Sequence, residues 1–275
     1  MHYTALIFNK QIIKIIHAFS FALNYFLGSP SGANEEIKKI LQKHDVPFKQ
    51  VKPDQYGSYY VKNEDAQDLV EAGYKLVCVD AHNLSEYKSE ILKRGQPSCL
   101  ELITLEYSSE ETPWQLLVAE NDTYSVNQLP YSVFAMSMLI KSGYSRKEIN
   151  AVRAYDRKAK GISKEEEKQT TEALKSAQSI NGLLIVDNLP HNKYQSVLDN
   201  AFWMQQYQNI VIFTEDNHFL YYGYADIAFE VMKAGFSQIT HWCYNEGHCK
   251  TSLHKQRLLQ FLKKHAKIKK KQLAF

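Results

Sequence analysis

At 275 residues, 44% hydrophobic and 23% charged, the chain is long enough for two modest domains and has an ordinary globular composition. A net charge of +3 gives no electrostatic case for nucleic-acid binding, and the basic run Lys263 to Lys271 reads as well as a solvated helix end. Four cysteines, at 78, 99, 243 and 249, form no disulfide framework in a chain this long, so a reduced, cytoplasmic setting is expected.

YTALIF (3–8) reads as a first strand, followed by a helical stretch to about Phe26. Part of that stretch, QIIKIIHAFSFALNYFLGSPSGA, is loosely like a secretory signal, but Lys14 and His17 interrupt its apolar run. It is also too short and too interrupted to span a membrane, so no membrane partner is expected. NEEIKKILQKH (34–44) reads as a helix, VPFKQVK as a strand, and NEDAQDLVEAG as a helix capped by Asn63. YKLVCVD (74–80) is the clearest buried strand, with Cys78 as a small buried hydrophobe. LSEYKSEILKRG then reads as a helix and LELITL (100–105) as another strand. This alternation predicts an α/β fold with a mostly parallel sheet in an N-terminal domain.

From about 113 to 178 the pattern is helical. Ser145 with Glu148, and Ser163 with Glu166, each fit a capping box, and Gly161 ends the helix between them. SKEEEKQTTEALKSAQ has the polar character of a helix that bridges domains. NGLLIV (181–186), NIVIFT (209–214) and HFLYYG (218–223) are strands around a helix near KYQSVLDNAFW. YADIAFEVMKAG is a helix, SQITHW a strand, and 251–266 the last helix. The expected organisation is an α/β domain over 1–144, a helical linker over 145–178 and a smaller α/β substrate-binding domain over 179–275.

Three stretches carry candidate chemistry. VDAHN places Asp80 and His82 at the carboxyl end of the best parallel strand, the edge where open α/β sheets bind ligands. An acid and an imidazole two residues apart suit a divalent ion, although Asp80 also suits a helix cap before Leu84. VAENDTYSVN offers Glu120 and Asp122, as further ligands or as a turn pair. HWCYNEGHCK (241–250) gathers histidines and cysteines, but His241 and Cys243 are one apart and His248 and Cys249 adjacent, which is awkward for tetrahedral zinc. The same stretch suits a phosphate better: Gly247 and Lys250 precede Thr251 and Ser252 at a helix start, where N–H groups attract anions. It is not a Walker A loop, and Thr251 and Ser252 equally serve as caps.

The order of these parts resembles the DHH phosphoesterase superfamily. That resemblance implies an α/β domain with a manganese cluster, a helical linker holding VRAYDRKAKGISKEEE, and a smaller domain gripping substrate through a glycine-rich loop ending in Gly-His. NEGH (245–248) stands where that loop falls, with Gly247 and His248 matching. The family's first motif falls on Asn9, Gln11 and Ile13, its second on Asp80, and its Asp-His-His near Glu106, Tyr107 and Ser108. The eroded motifs leave Asp80, His82 and Asp122 as metal ligands, with Gly247, His248 and Lys250 for substrate phosphate. The implied function is metal-dependent hydrolysis of a nucleotide or short oligonucleotide. A non-catalytic nucleotide-binding protein and a structural or interaction protein are the alternatives.

Overall fold

A computed structural model describes residues 24–28, 30–52, 68–69, 71–77, 98–107, 110–124, 131–190, 193–204, 209–241 and 244–266. The fold is mixed α/β, with two sheets. The chain divides into two compact units, Met1–Leu116 and Leu117–Phe275. No helix among the described residues is long and apolar enough to cross a membrane.

In the first unit, β1 (Asn24–Leu27), β2 (Phe48–Gln50) and β3 (Tyr74–Val77) form a parallel sheet in the order β2-β1-β3. Asn24–Leu27 was expected to end a helix. It is a strand because it is the central one, hydrogen-bonded on both sides with Tyr25 and Leu27 fully buried. The expected strand at 3–8, the helix at LSEYKSEILKRG, Asn63 and Cys78 lie outside the described residues. α1 (Gly32–Lys43) begins where Ser31 accepts a hydrogen bond from the Asn34 N–H, and buries Ile37, Ile40 and Leu41.

LELITL is not a strand but the body of α2 (Cys99–Glu106). Ser98 and Glu101 close a capping box, with Ser98 N–H donating to Glu101 Oε2 at 2.5 Å and Glu101 N–H to Ser98 Oγ at 3.2 Å. The helix then buries Leu100 and Ile103 on one face, a three-residue spacing that a strand would split between two faces.

The second unit contains α3 (Pro113–Tyr124) from Leu117 on, α4 (Tyr131–Lys141), α5 (Arg146–Ala159), α6 (Lys164–Lys175) and α7 (Gln195–Trp203). Its sheet has the order β4-β5-β6-β7-β9-β8: β4 (Gln178–Ile180), β5 (Leu183–Leu189), β6 (Ile210–Thr214), β7 (His218–Tyr222), β8 (Gln238–His241) and β9 (Tyr244–His248). Only β5 and β6 pair in parallel in this sheet; its other described pairs are antiparallel. β4 replaces the expected end of the preceding helix because Asn181 and Gly182, at φ 54° and 84°, make a two-residue hairpin. Alternate residues of β5, β6 and β7 face two ways: Leu184, Ile212 and Leu220 meet Leu174, Val197 and Leu198 on one side. Leu183, Val211, Phe219 and Tyr221 meet α8 (Ala225–Lys233) and α9 (Ser252–Ala266) through Ile227, Val231, Leu258 and Leu262 on the other.

The two compact units meet in sequence at Leu116/Leu117, and the segment 145–178 lies within the second. Both capping boxes of that segment form as expected, but its helices are held inside the second unit by buried charge. Arg153 of α5, 2% exposed, donates from Nε and Nη2 to Asp199 Oδ1 of α7 at 3.1 and 3.0 Å, and from Nη1 to Asn121 of α3 at 3.2 Å. Arg157 reaches Asp199 Oδ2 at 2.5 Å and Glu167 of α6 at 2.8 Å. Beside them, burial pushes the Asp156 carboxyl up, but Lys160 and Arg153 outweigh it and hold the group well below the usual range.

Two outcomes are expected. Asp199→Ala leaves Arg153 buried without its carboxylate and costs about 3–5 kcal/mol, read as a lower urea midpoint. Glu166, hydrogen-bonded by the Ser163 N–H and paired with Lys193, has its carboxyl held down at about 2. Its folded value is below the unfolded one, so its contribution is complete above about pH 4.5 and is lost as pH falls toward 2. A Glu166→Gln variant is expected to show a smaller fall in urea midpoint across that window than the wild type.

Candidate functional site

Gly247, His248 and Lys250 come together where β9 runs into α9. The expected loop at NEGH is a strand, because Tyr244–His248 pairs with β7 on one side and β8 on the other. The β7 register sets His218 opposite His248 and Phe219 opposite Gly247. Directly opposed residues share a sheet face, and the two imidazoles lie with ring centroids 3.5 Å apart. His248 is exposed and His218 partly so.

The β6–β7 turn aims this pair. Asn217 N–H donates to Thr214 O at 3.1 Å, and Asn217 takes φ 65°, a conformation asparagine tolerates. The Asn217 carbonyl then accepts the Cys249 N–H at 2.8 Å, tying the turn to the residue after His248. Thr214 Oγ1 donates to Asp216, which lowers that carboxyl, helped by His218, whose Nε2 lies 3.9 Å from Asp216 Oδ2. The carboxylate therefore sits charged beside the imidazoles.

Gly247 has a packing role. A Cβ there would meet Phe219 Cε1 at 2.6 Å and the Phe236 carbonyl oxygen at 2.7 Å. Cys249 is buried among the α8 and α9 contacts, and burial pushes its thiol up, away from reactivity. Lys250 is exposed. Thr251 Oγ1 accepts the His254 N–H at 3.1 Å and so caps α9, which occupies one of the helix-start groups an anion would use.

The metal candidates are not gathered in this way. Asp80 and His82 lie outside the described residues. Asp122 is partly buried in α3, beside the Asn121 that binds Arg153, rather than in a turn. Among the described residues no three His, Cys, Asp or Glu side chains form a group suited to a metal ion, so Asp122 has no companion ligands there. The zinc reading of 241–250 finds no support: Cys249 is buried in the core while the adjacent His248 is exposed.

Glu106 and Tyr107, where the family's naming motif falls, sit at the edge of the first sheet opposite the carboxyl ends. α1 leaves the carboxyl end of β1 and runs back, and His44 at its close lies 5.0 Å from the Tyr107 ring. Glu106 accepts from Tyr25 Oη at 2.8 Å and pairs with Lys75 at 2.5 Å, both early in their strands, and Tyr107 Oη donates to Tyr25 Oη at 3.0 Å. Burial, with Tyr107 and Glu106 nearby, raises the Tyr25 hydroxyl far above its ordinary value, so it remains a donor.

Sequence reading missed His218 and Asp216. Both lie in stretches taken only as strand and turn, and their meaning depends on pairing with β9.

No family model matches the chain, and no curated protein matches its sequence. Among solved structures it is similar to PggH, a pGpG-specific phosphodiesterase from Vibrio cholerae, with TM-score 0.53 and 10% identity over 90% of this chain and 99% of that one. An uncharacterized protein from Helicobacter pylori G27 matches at TM-score 0.24 and 11% identity, over 89% and 99% of the two chains. The PggH likeness is one of fold alone.

Gly247→Ala is expected to destabilise the chain by about 1–3 kcal/mol through overpacking against Phe219, measured by urea denaturation.

Proposed function

We propose that the chain is a DHH-like phosphoesterase acting on a nucleotide or short oligonucleotide, with phosphate held at the β9–α9 junction. The observation that carries this reading is the His218–His248 pair at the end of β9, two residues before exposed Lys250. His248 and Lys250 are the phosphate donors, His218 joins them, and Gly247 lets β9 pack closely enough to set the imidazole. The fold shared with PggH, whose name specifies pGpG, supports a ligand of nucleotide type.

The same reading assigns Asp80, His82 and Asp122 to a divalent ion, manganese first, in a cytoplasmic protein. Such an ion would supply polarisation of the phosphate and a water-derived nucleophile.

A second reading, nucleotide binding without turnover, is favoured by one observation. At the place of the family's naming acid, Glu106 is engaged with Lys75 and Tyr25.

Titrating the full chain with pGpG and Mn²⁺ tests both. His248→Ala and His218→Ala are each expected to weaken pGpG binding about tenfold, the scale of a lost hydrogen bond to a charged group. Hydrolysis that requires Mn²⁺ and is lost in Asp80→Ala supports the enzyme. A rise in melting temperature with pGpG and no hydrolysis supports the binder. No binding at all overturns both.

A further inference from the structure

A second recess lies on the other face of β9. Phe219 and the Phe236 carbonyl crowd the Gly247 side away from the imidazoles, and Phe236 leads into a cavity of about 270 Å³ between the end of α8 and the first turns of α9. This is below the size usual for whole drug-like ligands and suits a single small ring system.

Its lining is specific in chemistry. His254 stacks on Phe236, with ring centroids 5.5 Å apart and planes at 24°, and both rings line the cavity. Leu253, 54% exposed, adds an apolar rim on the first turn of α9. Arg257, one turn further along, also lines the cavity, is exposed, and has no carboxylate partner among the described residues. Ala234 and Gly235, at the close of α8, complete the lining, at a helix end whose last carbonyls lack intrahelical partners.

We propose that this cavity binds a purine base of the guanine type. Stacked aromatic side chains and an apolar rim favour a flat ring system. A guanidinium donates two parallel hydrogen bonds to guanine O6 and N7, whereas adenine presents a donor at N6 and fits it poorly. The helix-end carbonyls complement the N–H groups on guanine's other edge. The site goes beyond the phosphate reading and does not depend on it.

Guanosine, which carries no phosphate, is the probe, titrated into the full chain by ligand-observed NMR or calorimetry. Guanosine is expected to bind about tenfold more tightly than adenosine, and Arg257→Gln to remove that preference. His254→Ala is expected to weaken both nucleosides about tenfold, with a melting curve confirming that the variant is folded. The proposal is overturned by absence of guanosine binding, by equal affinity for the two nucleosides, or by a preference that Arg257→Gln leaves intact. Displacement of guanosine by inorganic phosphate also overturns it, because it would mark an anion site. A failure of pGpG to respond to His248→Ala, with guanosine still bound, would remove the phosphate reading and leave this one standing.

Discussion

The second unit depends on one buried carboxylate. Asp199 is 5% exposed and receives two arginines, Arg153 and Arg157, from the same helix. Burying such charges is costly, and it succeeds because the groups complete one another: Arg153 also reaches Asn121, and Arg157 also reaches Glu167. One acid on α7 thereby sets the positions of α3, α5 and α6. α6 in particular has little apolar surface of its own, as its charge-rich sequence shows, so packing alone would hold it weakly. The ion pairs give it a definite seat, and α6 and α7 then cover the sheet face that ends at the imidazole pair.

The candidate site follows from that sheet by register. Antiparallel pairing of β7 and β9 puts His218 against His248 and, one residue on, Phe219 against Gly247. A single-residue slip of β9 would send His248 to the face that carries Phe219 and Tyr221 and part it from His218. Gly247 prevents that slip by sterics: only a residue without a side chain tolerates Phe219 and Phe236 so close. The Asn217–Cys249 hydrogen bond locks the same register from the turn. Packing on one face of β9 therefore determines which groups are presented on the other.

What could be read from the sequence was what is determined locally. The capping boxes at Ser145 and Ser163 formed as written, because each is closed by residues three apart. β5, β6, β7, β8 and the helix α9 were legible for the same reason, whereas β4 and β9 were not. LELITL failed because its apolar residues fit either period, and the deciding signal, Ser98 with Glu101, lay at its edge. Asn24–Leu27 failed because its strand character comes from two partners far along the chain. Gly247 and His248 were found through a resemblance, yet the reason for the glycine, Phe219, was not visible there. His218 was overlooked because nothing near it in sequence marks it.

Sheet polarity also decides how far the family resemblance extends. In a parallel sheet the carboxyl ends of the strands carry ligands, since loops converge there while the strands hold them rigidly. Glu106 and Tyr107 fall at the opposite edge, beneath Tyr25 and Lys75, where the acid is already neutralised by an ion pair. By the same rule, ligands in the first unit are expected on residues that follow β1, β2 and β3. In sequence Asp80 and His82 are such residues, a few positions beyond Val77. Glu106 is thus a structural acid that staples α2 to the sheet, and it says nothing against ligands built at the other edge.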